Sequence, residues 1–144
     1  MFRIKGVMSS PIRILLCDDQ AVVRLRTRQM LKSARAFEVV GEADGGIVAV
    51  RMARELKPNL VLIDVQMPDL PGSVATRQIL AQQPDIRVIA FSGEVQLNAA
   101  REMFAAGASG YVLKEGDWRQ LLLAIDTVMG GGVFLTPGLK RAKI

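Results

Sequence analysis

Five runs of branched aliphatic residues recur along the chain, and each is followed by a segment whose apolar positions repeat at helical spacing. The runs are Ile12–Cys17 (IRILLC), Phe37–Ala43 (FEVVGEA), Asn59–Asp64 (NLVLID), Arg87–Phe91 (RVIAF) and Ser109–Leu113 (SGYVL). Leu60 to Ile63 show no polar alternation, which predicts a central parallel strand buried on both faces. Phe37–Ala43 alternates more and suits a strand nearer an edge. Between the runs, Gln20–Ala34 carries Val23, Thr27, Met30 and Leu31 on one helical face. Ile47–Leu56 reads as a helix stopped by Pro58, and Ser73–Gln83 as one stopped by Pro84. Val95–Ala106 is a helix with Gly107 at its C-terminal cap. Asp117 caps a last helix over Trp118–Met129, which Gly130, Gly131 and Gly132 end. On that helix Leu121, Leu122 and Ile125 face inward; Trp118 is expected in the core and Leu123 is a candidate for exposure. Strand–helix alternation five times over predicts an α/β fold: a five-stranded, doubly wound parallel sheet in the flavodoxin-like order 2-1-3-4-5.

The spacing places one domain at residues 12–132, after an N-terminal extension over 1–11 in which Met8 is an alternative start. Residues 133–144 form a basic tail or the start of a linker helix, opened by Thr136-Pro137 as cap and first helical position. The 144 residues leave little room for a second domain. No apolar run is long enough to cross a bilayer, and residues 1–10 lack the apolar stretch of a signal peptide. With no His and one Cys, the sequence lacks the usual ligands of zinc, haem and iron–sulfur centres, His-dependent triads are excluded, and oxygen ligands remain for a metal. Cys17 sits in an apolar run and reads as a buried structural thiol, in keeping with a reducing cytoplasm. The net charge of +5 favours acidic partners. Arg24, Arg28, Lys32 and Arg35 form one stripe of the first helix, either a solvated face or a docking strip for an acidic surface. Without interleaved aromatics it does not read as a nucleic-acid site.

Chemistry gathers at the strand ends. The first strand ends in Asp18 and Asp19, the third in Asp64, the fourth at Ser92 and the fifth at Lys114. In the predicted order the first and third strands are neighbours at the switch point, where ligands bind in such sheets. Two carboxylates about 4 Å apart repel by roughly 4 kcal/mol at an effective dielectric of 20. A hard divalent ion relieves this, and Mg²⁺ is the default for oxygen ligands with retained water. A carboxylate flanked by Mg²⁺, the Lys114 ammonium and the Ser92 hydroxyl is a receptor for a phosphoryl group, with Asp64 as nucleophile.

These residues carry a resemblance. Asp18-Asp19, Asp64 followed by Met67-Pro68 and Gly72, Ser92, and the run Gly107–Lys114 (GASGYVLK) resemble the receiver domain of bacterial two-component response regulators, a CheY-like fold. The last run is similar to the NarL/LuxR-type branch, and the likeness covers about Ile12 to Gly132. It implies that Asp64 accepts a phosphoryl group from a sensor histidine kinase or phosphotransfer protein. It also implies that Asp18, Asp19, Asp64 and the Gln66 backbone carbonyl hold Mg²⁺. Lys114 is then the phosphoryl clamp, and Ser92 and Tyr111 the switch pair. A receiver meets its kinase around the first helix, where the basic stripe lies. The implied output is self-association through the fourth helix, fifth strand and fifth helix, controlling transcription through a DNA-binding domain outside this sequence; this domain itself does not bind nucleic acid or membrane. The chain is then not an enzyme in the ordinary sense: it catalyses only its own phosphorylation and dephosphorylation.

Three departures from the pattern stand out. Gln20 replaces an acidic or His residue, Glu115 follows Lys114 where Pro is common, and Gln66 places a long amide beside the acceptor, which leaves phosphate lifetime open. The branch usually continues into a helix-turn-helix domain, so the expectation divides between a stand-alone receiver acting by protein contact and a part of a larger regulator. A Mg²⁺-dependent phosphohydrolase with an aspartate nucleophile is the rival class, but such enzymes place the nucleophile on the first strand with a second Asp two residues on. A flavodoxin would need a hydroxyl- and Gly-rich loop where Asp18-Asp19 stands, and a pseudo-receiver would lack the complete acidic set.

Overall fold

At the middle of the sheet lies β3 (Leu60–Asp64), in which every residue is buried. The structure is a computed structural model that describes residues 10–142. Around β3 stand β1 (Ile12–Cys17), β2 (Phe37–Ala43), β4 (Arg87–Ser92), β5 (Gly110–Leu113) and β6 (Phe134–Leu135). All pairings are parallel, in the order β2-β1-β3-β4-β5-β6. The expected 2-1-3-4-5 order is present, with one short strand added outside β5. The connecting helices are α1 (Ala21–Lys32), α2 (Gly46–Leu56), α3 (Gly72–Gln82), α4 (Leu97–Ala105), α5 (Trp118–Met129) and α6 (Pro137–Ala142).

The two-residue period of the strands divides the core. Leu15, Val61, Ile63, Val88, Ala90 and Tyr111 point to one face and pack under α2, α3 and α4. There Ala49, Ala53, Ala75 and Ala100 supply small contacts that let the helices approach the sheet closely. Ile14, Leu16, Leu62, Ile89, Phe91 and Val112 point to the other face, beneath Val23 and Leu31 of α1 and Leu121, Ile125 and Val128 of α5. Because the central strands are buried on both faces, they read as unbroken apolar runs rather than as alternation.

Two expectations change. The sheet continues past Gly132: Gly131 turns the chain at φ 96°, and Phe134 and Leu135 then pair with Gly110 and Tyr111. A strand of two residues has no period to detect, which is why it is absent from the sequence reading. Trp118 is 46% exposed, not core, and Leu123 is 51% exposed. Residues 115–119 are all exposed, so the start of α5 lies at the surface and its indole stays half open to solvent. Of the expected extension over residues 1–11, residues 1–9 lie outside the described residues, as do Lys143 and Ile144 of the basic tail; the helix expected after Thr136 is α6. Among the described residues no helix is long and apolar enough to cross a membrane.

Candidate functional site

Register sets the site. Cys17 pairs with Ile63, so the residues that follow them, Asp18 and Asp64, emerge side by side at the same rim. Asp64 is level with Phe91, and Ser92 with Leu113, which brings Ser92 and Lys114 to that rim as well. The Lys114 N–H donates to the Ser92 carbonyl at 2.7 Å, fixing where the lysine leaves the sheet.

The lysine ammonium lies between the two buried acids, 2.6 Å from Asp18 Oδ2 and 3.2 Å from Asp64 Oδ1, with all three side chains at most 9% exposed. Asp18 Oδ1 accepts the Gln20 N–H at 2.9 Å, and Asp64 Oδ1 accepts the Gln66 N–H at 3.2 Å. Asp18 Oδ2 has the ammonium close by as an ion pair but no aligned hydrogen-bond donor. Burial raises the Asp64 carboxyl from the ordinary 3.8 to about 6. The Asp18 charge adds to the rise, and Lys114 and the Gln66 amide oppose it. For Lys114, burial alone would ease proton loss, but contact with Asp18 and the charge of Asp64 outweigh it and hold the ammonium above its ordinary range. One cation thus serves two carboxylates and leaves the acid in excess.

Asp19 is exposed, and Asp18, Asp19 and Asp64 each offer an oxygen within 4.8 Å of the others. Three carboxylates, with one buried oxygen lacking an aligned donor, fit a hard divalent cation with oxygen ligands. Beside them opens a cleft of about 390 Å³, lined by Asp19, Asp64, Gln66, Ser92, Glu94 and Lys114 among others.

Ser92 and Tyr111 meet at one atom. Ser92 Oγ donates to the Glu94 carbonyl at 2.9 Å, and the fully buried Tyr111 hydroxyl donates to the same carbonyl at 3.0 Å. The Glu94 N–H returns a bond to Ser92 Oγ at 3.3 Å. The resemblance paired Ser92 with Tyr111 as a switch, but the sequence reading missed Glu94, because a backbone carbonyl carries no residue signal. Of the basic stripe, Arg24 pairs with Glu42 at 3.1 Å and donates to the Asp18 carbonyl at 2.6 Å. Arg28 also pairs with Glu42, so half of the stripe is occupied within the fold.

Comparison with known proteins shows the family and the fold. Residues 14–126 match the family model described as the response regulator receiver domain. The response regulator GacA of Pseudomonas viridiflava is 38% identical over 130 residues, covering 90% of this chain and 61% of the relative. The transcriptional regulatory protein DegU of Brevibacillus brevis is 32% identical over 131 residues, covering 91% and 56%. Among solved structures, a LuxR-family two-component response regulator from Aurantimonas sp. SI85-9A1 superposes with a TM-score of 0.87 at 33% identity, covering 92% of this chain and 94% of that one. The response regulator domain of Thermotoga maritima CheB gives a TM-score of 0.74 at 30% identity, covering 84% and 95%. The chain spans about three-fifths of the length of the curated relatives it matches.

Proposed function

The chain belongs to the response-regulator receiver domains, and on that premise we propose that it is a phosphorylation-controlled switch with Asp64 as acceptor. The observation that carries this reading is the Lys114 ammonium set between Asp18 and Asp64 beside an open cleft. The donor is a phosphohistidine of a sensor kinase or phosphotransfer protein. An oxygen of Asp64 forms the new P–O bond as the P–N bond to the imidazole breaks; the electron pair stays on the ring nitrogen, which takes a proton from water. With its carboxyl raised to about 6, Asp64 is largely ionised near pH 7.5 and more nucleophilic than an ordinary carboxylate. Asp18, Asp19, Asp64 and the Gln66 carbonyl would hold Mg²⁺, which supplies charge neutralisation for the transferring oxygens. Lys114 leaves Asp18 to clamp a phosphoryl oxygen. Hydrolysis by water later returns Asp64, so the chain acts only on itself; the relatives are named as regulators.

Ser92 and Tyr111 are the proposed switch. A phosphoryl group adds charge of roughly −1.5 to −2 and three acceptor oxygens. Donation from Ser92 to one of them withdraws its proton from the Glu94 carbonyl that Tyr111 shares. The face of α4, β5 and α5 then changes, and homodimerisation there is the proposed readout. Control of transcription is the proposed output, supported by the names of the relatives, with the cytoplasm as the proposed location. The test is incubation with acetyl phosphate and Mg²⁺. One acid-labile phosphoryl group is expected on the parent and none on Asp64→Asn; equal labelling of the two overturns the assignment.

A further inference from the structure

A cap delivered from another loop singles out Asp69. Helix α2 begins at Gly46, and its N-cap residue, Gly45, has no side chain to accept the free amides of the first turn. The acceptor is Asp69, 23 residues further on: Oδ1 takes the Gly46 N–H at 2.9 Å and Oδ2 the Ile47 N–H at 3.1 Å. These two bonds, a negative charge at a helix N-terminus, hold the Asp69 carboxyl below its usual range. A Ser or Asp in place of Gly45 would cap α2 as well on its own. What a local cap would not do is tie α2 to the loop between β3 and α3.

That loop is pinned at both ends. At its far end it lies flush on the helix start: a Cβ at Gly46 would fall 2.6 Å from Leu70 Cβ, and one at Gly45 would fall 2.9 Å from Asp69 Oδ2. At its near end the Gly72 N–H donates to the Val65 carbonyl at 3.0 Å, and a Cβ on Gly72 would strike the Asp64 carbonyl at 2.3 Å. Met67 is buried in the core between them. The short span so held carries Gln66, whose amide bonds Asp64 Oδ1 and whose side of the loop lines the cleft.

We propose that Asp69 is a positioning residue for the cation site: its two bonds to α2 set the loop so that the Gln66 backbone stays in place beside Asp64. The inference rests on the reading of Asp18, Asp19 and Asp64 as a Mg²⁺ site, and it gives Asp69 no contact with the metal. Groups hydrogen-bonded directly to a metal ligand change affinity by about 10–100-fold when lost; Asp69 acts one step further out, through the loop, so the low end of that range, about tenfold, is the effect expected.

The experiment is calorimetric titration with MgCl₂ and thermal unfolding in EDTA, on the parent, Asp69→Ala, Asp69→Asn and the double variant Asp69→Ala/Gly45→Ser. The double variant recaps α2 locally, in space that the missing carboxylate vacates, and leaves the loop untied. Asp69→Ala is expected to bind Mg²⁺ about tenfold more weakly and to melt earlier. The double variant should regain the melting temperature but not the Mg²⁺ affinity, and Asp69→Asn should regain part of both. Hydrogen exchange at the Gln66 amide, read in EDTA, should be faster than in the parent for Asp69→Ala and for the double variant alike, whether or not the local cap restores the melting point. Mg²⁺ affinity that returns with the melting temperature, or unchanged Gln66 exchange, makes Asp69 a helix cap only and overturns the inference. A parent that binds no Mg²⁺ overturns the cation reading itself, a result separate from either of these.

Discussion

Replacing Asp64, the proposed acceptor, by its uncharged isostere should make the metal-free protein more stable. Asn copies the shape of a protonated Asp64, while Lys114 keeps Asp18 at 2.6 Å as its partner. The rise of the Asp64 carboxyl from 3.8 to about 6 measures how far the fold disfavours the ionised form. It corresponds to about 3 kcal/mol at 1.36 kcal/mol per unit. The site opens on a cleft, and water there screens the charge, so about 1.5 kcal/mol is the expected gain for Asp64→Asn at pH 8. For a chain of this size that is a rise of roughly 3–6 °C in melting temperature. The sign in pH follows from proton binding. Between about 4 and 6 the native state holds the Asp64 proton more tightly than the unfolded chain does, so parent stability falls as pH rises through that window. The gain of Asp64→Asn is therefore full above pH 7 and shrinks to nothing as pH is lowered below about 4. Urea titrations in EDTA from pH 4 to pH 8 measure it. Saturating Mg²⁺ should narrow the difference at pH 8, since binding at the proposed site would stabilise the parent. A variant no more stable than the parent at pH 8, or a gain that grows toward low pH, would refute the charge-excess account of the site.

Asp19→Ala should weaken Mg²⁺ binding and slow labelling of Asp64 without loss of fold, because Asp19 is exposed; unchanged affinity in a titration counts against the acid cluster as the ligand set. Ser92→Ala should still accept a phosphoryl group but lose the coupled response, read as self-association and as the Tyr111 ring environment by NMR with Mg²⁺ and beryllofluoride; an intact response means the signal leaves by another surface. Gly72→Ala drives a Cβ to within 2.3 Å of the Asp64 carbonyl, and a loss of about 3 kcal/mol in urea titration together with slower labelling is expected. Cys17 is buried, and burial raises its thiol well above the ordinary range, so it should stay unmodified by a thiol reagent until the protein unfolds.

The central strands were legible in the sequence because burial on both faces removes polar residues altogether, as in Leu60 to Ile63. The acids were legible for the converse reason: Asp18 and Asp64 stand where those apolar runs stop, and the strand order makes them neighbours. What stayed hidden acts through the main chain or over long separations. Glu94 serves through its carbonyl, which every residue possesses. Asp69 reads as one more turn residue among Pro68, Leu70 and Pro71, and only its reach to Gly46 gives it a separate task. Trp118 was misplaced because its position continues the inward stripe of α5, and helical spacing does not reveal how far along a helix burial extends.

The short outer strand has a mechanical consequence. The Tyr111 carbonyl accepts the Thr136 N–H at 3.0 Å, and the Tyr111 hydroxyl reaches Glu94. A Cβ on Gly138 would lie 3.2 Å from Val95 Cγ2, so the start of α6 rests against the residue that follows Glu94. Residues 94–95, 111, 136 and 138 thus form a closed linkage, and a linkage that closes has fewer independent motions than its parts. A polypeptide ending between Met129 and Phe134 would keep every acid of the site and still open this ring. Its tyrosine would answer to one constraint instead of two, and the proposed switch would start from a different balance than in a polypeptide that runs through Leu139.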